Sequence, residues 1–103
     1  MEFHPSQIPI TKTFEMSDEG TAPDVASEMV RMGFDSQNGG FRIIMTKEKN
    51  TAKKIGYTLM NELNHGLRKA KQERSVRYWI YTHDKDHFAM VLISAKVFDR
   101  LGL

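Results

Sequence analysis

The sequence predicts a two-layer α+β fold, in which a sheet of about four mostly antiparallel strands is covered by a long amphipathic helix and two shorter helices. Three observations lead to this prediction. Apolar residues recur with helical spacing over about six turns, four short segments have the composition of β-strands, and a polar turn joins the last two of them. With 103 residues and no internal repeat, we expect one domain over residues 1–103, with a loose N-terminal end at residues 1–6.

The long helix is predicted from Asn50 to Arg74, because apolar residues recur along one side of this segment at about 100° per residue. Asn50 or Thr51 can cap its first turn with a side-chain oxygen. The predicted buried side consists of Ala52, Ile55, Gly56, Leu59, Met60, Leu63, Gly66, Leu67 and Ala70. The opposite side carries Lys53, Lys54, Tyr57, Asn61, Asn64, His65, Arg68, Lys71 and Gln72. We expect the rest of the chain to pack against the apolar side.

Two strands and a shorter helix precede the long helix. A first strand is predicted at residues 7–16 and a helix at residues 21–32. Gly33 suits the left-handed position that follows a helix. A polar loop at residues 35–40 then leads into a second strand at residues 41–46. This order places a helical connection between the first two strands.

The last part of the chain predicts a β-hairpin followed by a short helix. Residues 76–83 and 87–94 are rich in aromatic and β-branched residues, and the polar segment 84–86 between them favours a tight turn. A short amphipathic helix is predicted at residues 95–103. We expect Trp79 to be buried, because large aromatic side chains dominate cores and interfaces.

The composition excludes several classes of site. The chain contains no cysteine, so it has no disulfide, no thiolate zinc site and no cysteine nucleophile. It has no apolar run of the roughly 18 residues that a membrane helix needs, and its first residues do not resemble a signal peptide. We therefore expect a cytoplasmic protein that does not associate with membranes.

The net charge of +2 hides a strong asymmetry along the chain. Residues 1–41 carry two basic and seven acidic side chains, whereas residues 42–81 carry ten basic and three acidic ones. Residues 82–103 are balanced. A basic central segment of this kind can attract an acidic partner, and it can equally be a solvated surface that keeps the protein soluble.

The polar side of the long helix is the main candidate for a binding surface. Its lysine and arginine side chains can contact phosphates, and its amides can contact sugars or base edges. No known nucleic-acid-binding motif, such as zinc-finger spacing or a helix-turn-helix, accompanies this composition. The predicted nucleic-acid-binding residues are Lys53, Lys54, Arg68, Lys71, Asn61, Asn64 and Arg77.

Two further candidates lie in the predicted hairpin. Arg77, Trp79 and Tyr81 share one side of a strand and could stack on unpaired bases, but burial explains Trp79 without a ligand. His83 and His87 flank the turn and carry the imidazole that metal ions prefer. A polar turn explains them better, because the intervening carboxylates serve the backbone geometry of such turns. We therefore predict no metal site and no cofactor.

The sequence contains no phosphate-binding glycine loop, dinucleotide fingerprint, nucleophile elbow or zinc-protease motif. We predict no catalytic residues and expect a small non-enzymatic module whose basic helix face binds RNA or DNA, with a homodimer as a candidate assembly. The alternative is a protein-interaction module that acts as a small regulator or inhibitor of a larger complex. In that case the partner would present an acidic protein surface to this chain, or this chain would make the contact through its acidic first 41 residues or through the face around Trp79.

Overall fold

A four-stranded mixed sheet forms the centre of the molecule. The computed structural model describes residues 3–34, 39–72 and 75–102. Its strands are β1 (Ile10–Glu15), β2 (Gly40–Ile44), β3 (Val76–Asp84) and β4 (His87–Ser94). Its helices are α1 (Ala22–Met32), α2 (Lys49–Lys69) and α3 (Ala95–Arg100), and short 3-10 turns occur at Pro5–Gln7 and Glu19–Thr21. The two-layer α+β fold with one long helix is confirmed.

The strand order in the sheet is β1-β2-β4-β3. The pair β1 and β2 is parallel, as two strands joined by a crossover helix such as α1 commonly are, and the other two pairs are antiparallel. The predicted hairpin is therefore present, with β3 at one edge of the sheet and β1 at the other. Most of the predicted loop, residues 35–38, lies outside the described residues.

The main core lies between one face of the sheet and the helices α1 and α2. It contains the buried side of α2, the buried side of α1 and alternate residues of β2 and β4. The two glycines on the buried side of α2 allow α1 and the sheet to approach this helix closely. A Cβ atom at Gly66 would lie 3.1 Å from Val30 of α1, and one at Gly56 would lie 3.2 Å from Ile80 and 3.4 Å from Met90. The helix α2 therefore lies over the cross-strand pair Ile80 and Met90.

The ends of α2 differ from the prediction. Its N-cap is Glu48, whose carboxylate accepts hydrogen bonds from the backbone N–H groups of Asn50 (3.0 Å) and Thr51 (2.7 Å), so neither of those residues is the cap. The helix stops at Lys69, and the expected end at Arg74 was too late; residues 73 and 74 themselves lie outside the described residues.

A left-handed residue explains the early stop of α2. Lys71 has φ = 55°, and the N–H of Gln72 donates to the carbonyl of Leu67 at 3.0 Å, as in a Schellman motif. Glycine usually occupies this position, because a side chain there costs about 1–2 kcal/mol. Lys71 was therefore wrongly assigned to the helix, since its residue type gives no signal for a helix end.

A second, smaller cluster covers the opposite face of the sheet. Here α3 and the N-terminal segment pack on the other alternate residues of β3 and β4, so the long helix and α3 lie on different faces. Trp79 stacks on Phe98 of α3 at 5.7 Å between ring centroids and meets the edge of Phe3 at 5.3 Å. It is partly buried, and its expected burial is confirmed in part.

The N-terminal segment is anchored rather than loose over the described residues 3–6. Phe3 contacts Trp79, and the ring of His4 packs edge-on against Tyr81 at 5.3 Å. His4 also caps the 3-10 turn Pro5–Gln7, where its ring nitrogen accepts a hydrogen bond from the backbone N–H of Ser6. The ring of Phe3 is partly buried on this aromatic surface.

Candidate nucleic-acid interface

Five side chains form a line along the solvent side of α2. Their spacing of four, four, three and four residues places them on one side of a helix. The line extends about 22 Å at 1.5 Å per residue. Four of its members are exposed and Asn64 is partly exposed. We refer to this set as the α2 stripe; its residues are Lys53, Tyr57, Asn61, Asn64 and Arg68.

The α2 stripe carries positive charge without a nearby carboxylate from its own helix. The only acidic residue within α2 is Glu62, and it lines the groove between α1 and α2 together with Ala26 and Val30. Lys53 and Arg68 therefore present their charges to solvent near the two ends of the stripe, with amide side chains between them. Such an arrangement can contact an extended polyanion at several points.

Tyr57 lies within the α2 stripe and is 72% exposed, the most exposed large hydrophobic side chain of the described residues. Its neighbours one helical turn away on either side are Lys53 and Asn61. Aromatic rings in such positions can stack on nucleic-acid bases. Tyr57 was not among the predicted site residues, although its place on the polar side of the predicted helix was the available signal.

Lys54 is also exposed, but its side chain points towards the 3-10 turn Glu19–Thr21. Its Nζ lies 3.3 Å from Oε1 of Glu19, and Oε2 of the same carboxylate accepts a hydrogen bond from the hydroxyl of Thr58 at 2.7 Å. The hydrogen bond from Thr58 and the ammonium group of Lys54 lower the pKa of Glu19. Because the Lys54 side chain remains 71% exposed, it can add charge beside the α2 stripe, although it is not one of the stripe residues.

Two of the predicted site residues lie away from the α2 stripe. Arg77 is on the opposite face of the sheet, where its guanidinium carbon lies 4.4 Å from the centroid of the Phe98 ring. The alternation of side chains along β3 sends Arg77 and Trp79 away from α2, so Arg77 does not share a surface with the α2 stripe. Lys71 follows the end of α2 and is exposed there.

The hairpin histidines belong to a polar turn. Asp84 accepts a hydrogen bond from the backbone N–H of Asp86 at 2.7 Å, and its Oδ1 lies 2.9 Å from Nδ1 of His87. These two contacts lower the pKa of Asp84. Among the residues that the structure describes, no three His, Asp or Glu side chains are grouped so that they could hold a metal ion.

The carboxylate that caps α2 gives a testable pH dependence. Hydrogen bonds from the side chain of Thr51 and the backbone N–H groups of Asn50 and Thr51 lower the pKa of Glu48 below its usual value of 4.5. A lowered pKa means that the carboxylate stabilises the folded state above about pH 4.5, and that this stabilisation is lost as the pH falls through the folded-state pKa.

We therefore expect Glu48→Gln to lower the midpoint of thermal unfolding slightly at pH 7 and to change it much less at pH 3. Glutamine keeps the length of the side chain and one acceptor oxygen but removes the titrating charge. Thermal melts of both proteins at the two pH values measure the effect. An equal difference at pH 7 and pH 3 would show that the charge of Glu48 is not responsible.

No helix in residues 3–34, 39–72 and 75–102 is both long and apolar enough to cross a membrane. Comparison of the chain with known protein families, with curated proteins and with solved structures finds no match. The candidate interface therefore depends on the geometry and charge of the chain itself.

Proposed function

We propose that the protein is a non-enzymatic module that binds single-stranded RNA or DNA through the α2 stripe. The observation that carries this proposal is the position of Tyr57, an exposed aromatic ring in line with two cations and two amides. A surface that served only solubility would gain nothing from an aromatic side chain exposed to this extent. A stacking platform flanked by positive charge is a recurring way to bind single strands.

Each part of the α2 stripe has a distinct role in the proposed complex. Lys53 and Arg68 contact phosphates, and the length of the stripe lets them reach phosphates that are several nucleotides apart on one strand. Tyr57 stacks on one base, which favours a single strand because the bases of a duplex are already stacked. Asn61 and Asn64 offer donors and acceptors to the sugar or to the edge of an adjacent base.

The alternative function, a protein-interaction module, has less support from the acidic part of the chain. Glu19 is paired with Lys54, and Glu28 is paired with Arg31 and Lys12. These carboxylates are therefore already partly neutralised within the fold. An acidic protein surface remains an alternative partner for the α2 stripe, and it would not require the ring of Tyr57.

Binding to short labelled single- and double-stranded DNA and RNA tests the proposal. We expect the single strands to bind more tightly. Between 50 and 200 mM salt, the affinity should fall by about sevenfold for the two phosphate contacts of Lys53 and Arg68, because a single strand loses about 0.7 log units of affinity per contact for each log unit of salt. No binding of any of the four probes at low salt would refute the proposed function.

Tyr57 allows a sharper comparison in the same assay. Tyr57→Ala should weaken binding by about fivefold or more, since stacking on one base contributes about 1–3 kcal/mol. Tyr57→Phe is the matched control, because it keeps the ring and should bind like the natural protein. Equal affinities for all three proteins would show that the ring does not contact the nucleic acid, and would leave only a charge-driven contact.

A further inference from the structure

Strand β3 is a long edge strand that lacks the usual protection against pairing. Its nine residues lie at one side of the sheet, and no other strand of the described residues pairs with its outer edge. The opposite edge, β1, is shorter, follows Pro9, contains Lys12 and has an irregular register between Ile10 and Lys12. Proline, lysine and irregular pairing are features that normally prevent edge strands from associating. β3 contains neither proline nor lysine, and its register irregularity is confined to its end, between Thr82 and Asp84.

The same edge exposes apolar side chains on the side that faces α2. Tyr78 is 50% exposed and Ile80 is 36% exposed, and they are the only large hydrophobic residues besides Tyr57 that are exposed to this degree among the described residues. They are neighbours on one side of β3, because side chains two apart on a strand share a face. An open strand edge and an apolar surface therefore coincide.

We propose that β3 pairs with β3 of a second copy, antiparallel and about a two-fold axis that passes midway between the two Ile80 residues. Ile80 is the middle residue of Val76–Asp84, so this register pairs the regular residues 78–82 with those of the second copy and joins the two sheets into one. On the side of α2, Ile80 lies opposite the partner's Ile80, and Tyr78 lies opposite the partner's Thr82. Cross-strand pairs of β-branched and aromatic residues stabilise antiparallel strands.

The opposite side of the pair is equally complementary. There Trp79 lies opposite the partner's Tyr81, and the symmetry repeats this aromatic pair on the other side of the axis. Arg77 lies opposite the partner's His83, but its guanidinium group is held over the ring of Phe98. The register centred on Ile80 therefore sets no carboxylate or lysine of β3 against a charge of the same sign.

The dimensions of this edge bound the area of the interface. A strand of nine residues is about 30 Å long. The smallest extent of the molecule is 17 Å, so the edge can contribute at most about 500 Å² on each copy. The total of at most about 1,000 Å² lies at the lower limit of specific interfaces. The second copy thus covers Tyr78 and Ile80 and occupies the free backbone groups of β3.

The proposed axis is perpendicular to the sheet, so both α2 helices lie on the same side of the joined sheet. Their positive charges then repel each other, and salt should strengthen the dimer because it screens this repulsion. Nucleic-acid binding has the opposite salt dependence. The dimer does not depend on the proposed function, and the two can fail separately.

Disulfide trapping tests the register directly, because the chain has no cysteine of its own. Residues directly opposite each other in antiparallel strands have Cα atoms about 4.5–5.5 Å apart, within the range of a disulfide. We expect Ile80→Cys to form a covalent dimer under mild oxidation in the absence of nucleic acid. Thr11→Cys, on the exposed edge strand β1, is the matched control and should remain monomeric.

Two further variants test the register. Tyr78→Cys mixed with Thr82→Cys should give more covalent dimer than either variant alone, since only the mixture places two cysteines opposite each other.

Sedimentation should show a dimer of the natural chain that strengthens with salt, and a monomer for Tyr78→Lys with unchanged circular dichroism. A natural chain that stays monomeric at about 100 μM, or Ile80→Cys that cross-links no better than Thr11→Cys, would overturn the proposal.

Discussion

The double substitution Lys53→Glu and Arg68→Glu is expected to weaken single-strand binding by roughly 100-fold at low salt. Each reversal removes a cation that binds a phosphate and places a carboxylate near the polyanion. The slope of log affinity against log salt should also become shallower by about 1.4, since each phosphate that is no longer bound accounts for about 0.7. Both residues are exposed and neither has an ion pair among the described residues, so the fold should be unaffected.

The control for this substitution carries the same change of charge at another place. Lys47 and Lys85 are exposed, and Lys47 lines a cleft with Asp86 near the hairpin turn. Lys47→Glu with Lys85→Glu should reduce the affinity much less, because these residues lie outside the α2 stripe. If both double variants reduce the affinity equally, the affinity depends on the net charge of the molecule and not on the α2 stripe.

Leu59→Ala is expected to lower the free energy of unfolding by about 3–5 kcal/mol, as the removal of a fully buried leucine side chain typically does. Leu59 is 0% exposed and lies in the buried side of α2, in the core cluster between the helices and the sheet. The total free energy of unfolding of a domain of this size is about 5–15 kcal/mol. The midpoint of thermal unfolding of the variant should therefore lie well over 10 °C below that of the natural chain.

Asn61→Ala provides the comparison within the same helix. Asn61 is exposed, and alanine is the better helix former, so the stability should stay the same or rise slightly. Chemical denaturation of the three proteins measures both effects. If Leu59→Ala were as stable as the natural chain, the packing of α2 against the sheet would have to differ from the structure described above.

The parts of the fold that the sequence predicted correctly are those with local signals. The periodicity of α2 repeats over many turns, and the hairpin has a polar turn between two strand-like segments. The strand–helix–strand order favours a parallel pair of β1 and β2 but does not fix their place in the sheet, which depends on contacts between distant segments. The ends of α2 depended on single residues: Glu48 caps the helix by its side chain, and Lys71 takes a conformation that is unusual for lysine.

The second core face was harder to predict, although one signal was present. The residues from Ala89 to Ile93 are all apolar and all 0% exposed, which indicates a strand that is covered on both faces. The alternation in β3 defines two sides but does not say which of them meets the long helix. The sequence therefore does not say whether Arg77 shares a surface with the helix, whereas helical periodicity alone places Lys53, Asn61, Asn64 and Arg68 on one side of α2.

The strand order also has a consequence for how the chain acquires its structure. The hairpin of β3 and β4 can form within microseconds, because its strands are adjacent in sequence. The pair of Phe41 with Leu92 must wait until the chain has closed a loop that contains all of α2. During synthesis, the apolar sides of α1, β2 and α2 therefore leave the ribosome before their partner strand exists. Until β4 follows, the apolar surface that it covers in the folded protein has no partner within the chain.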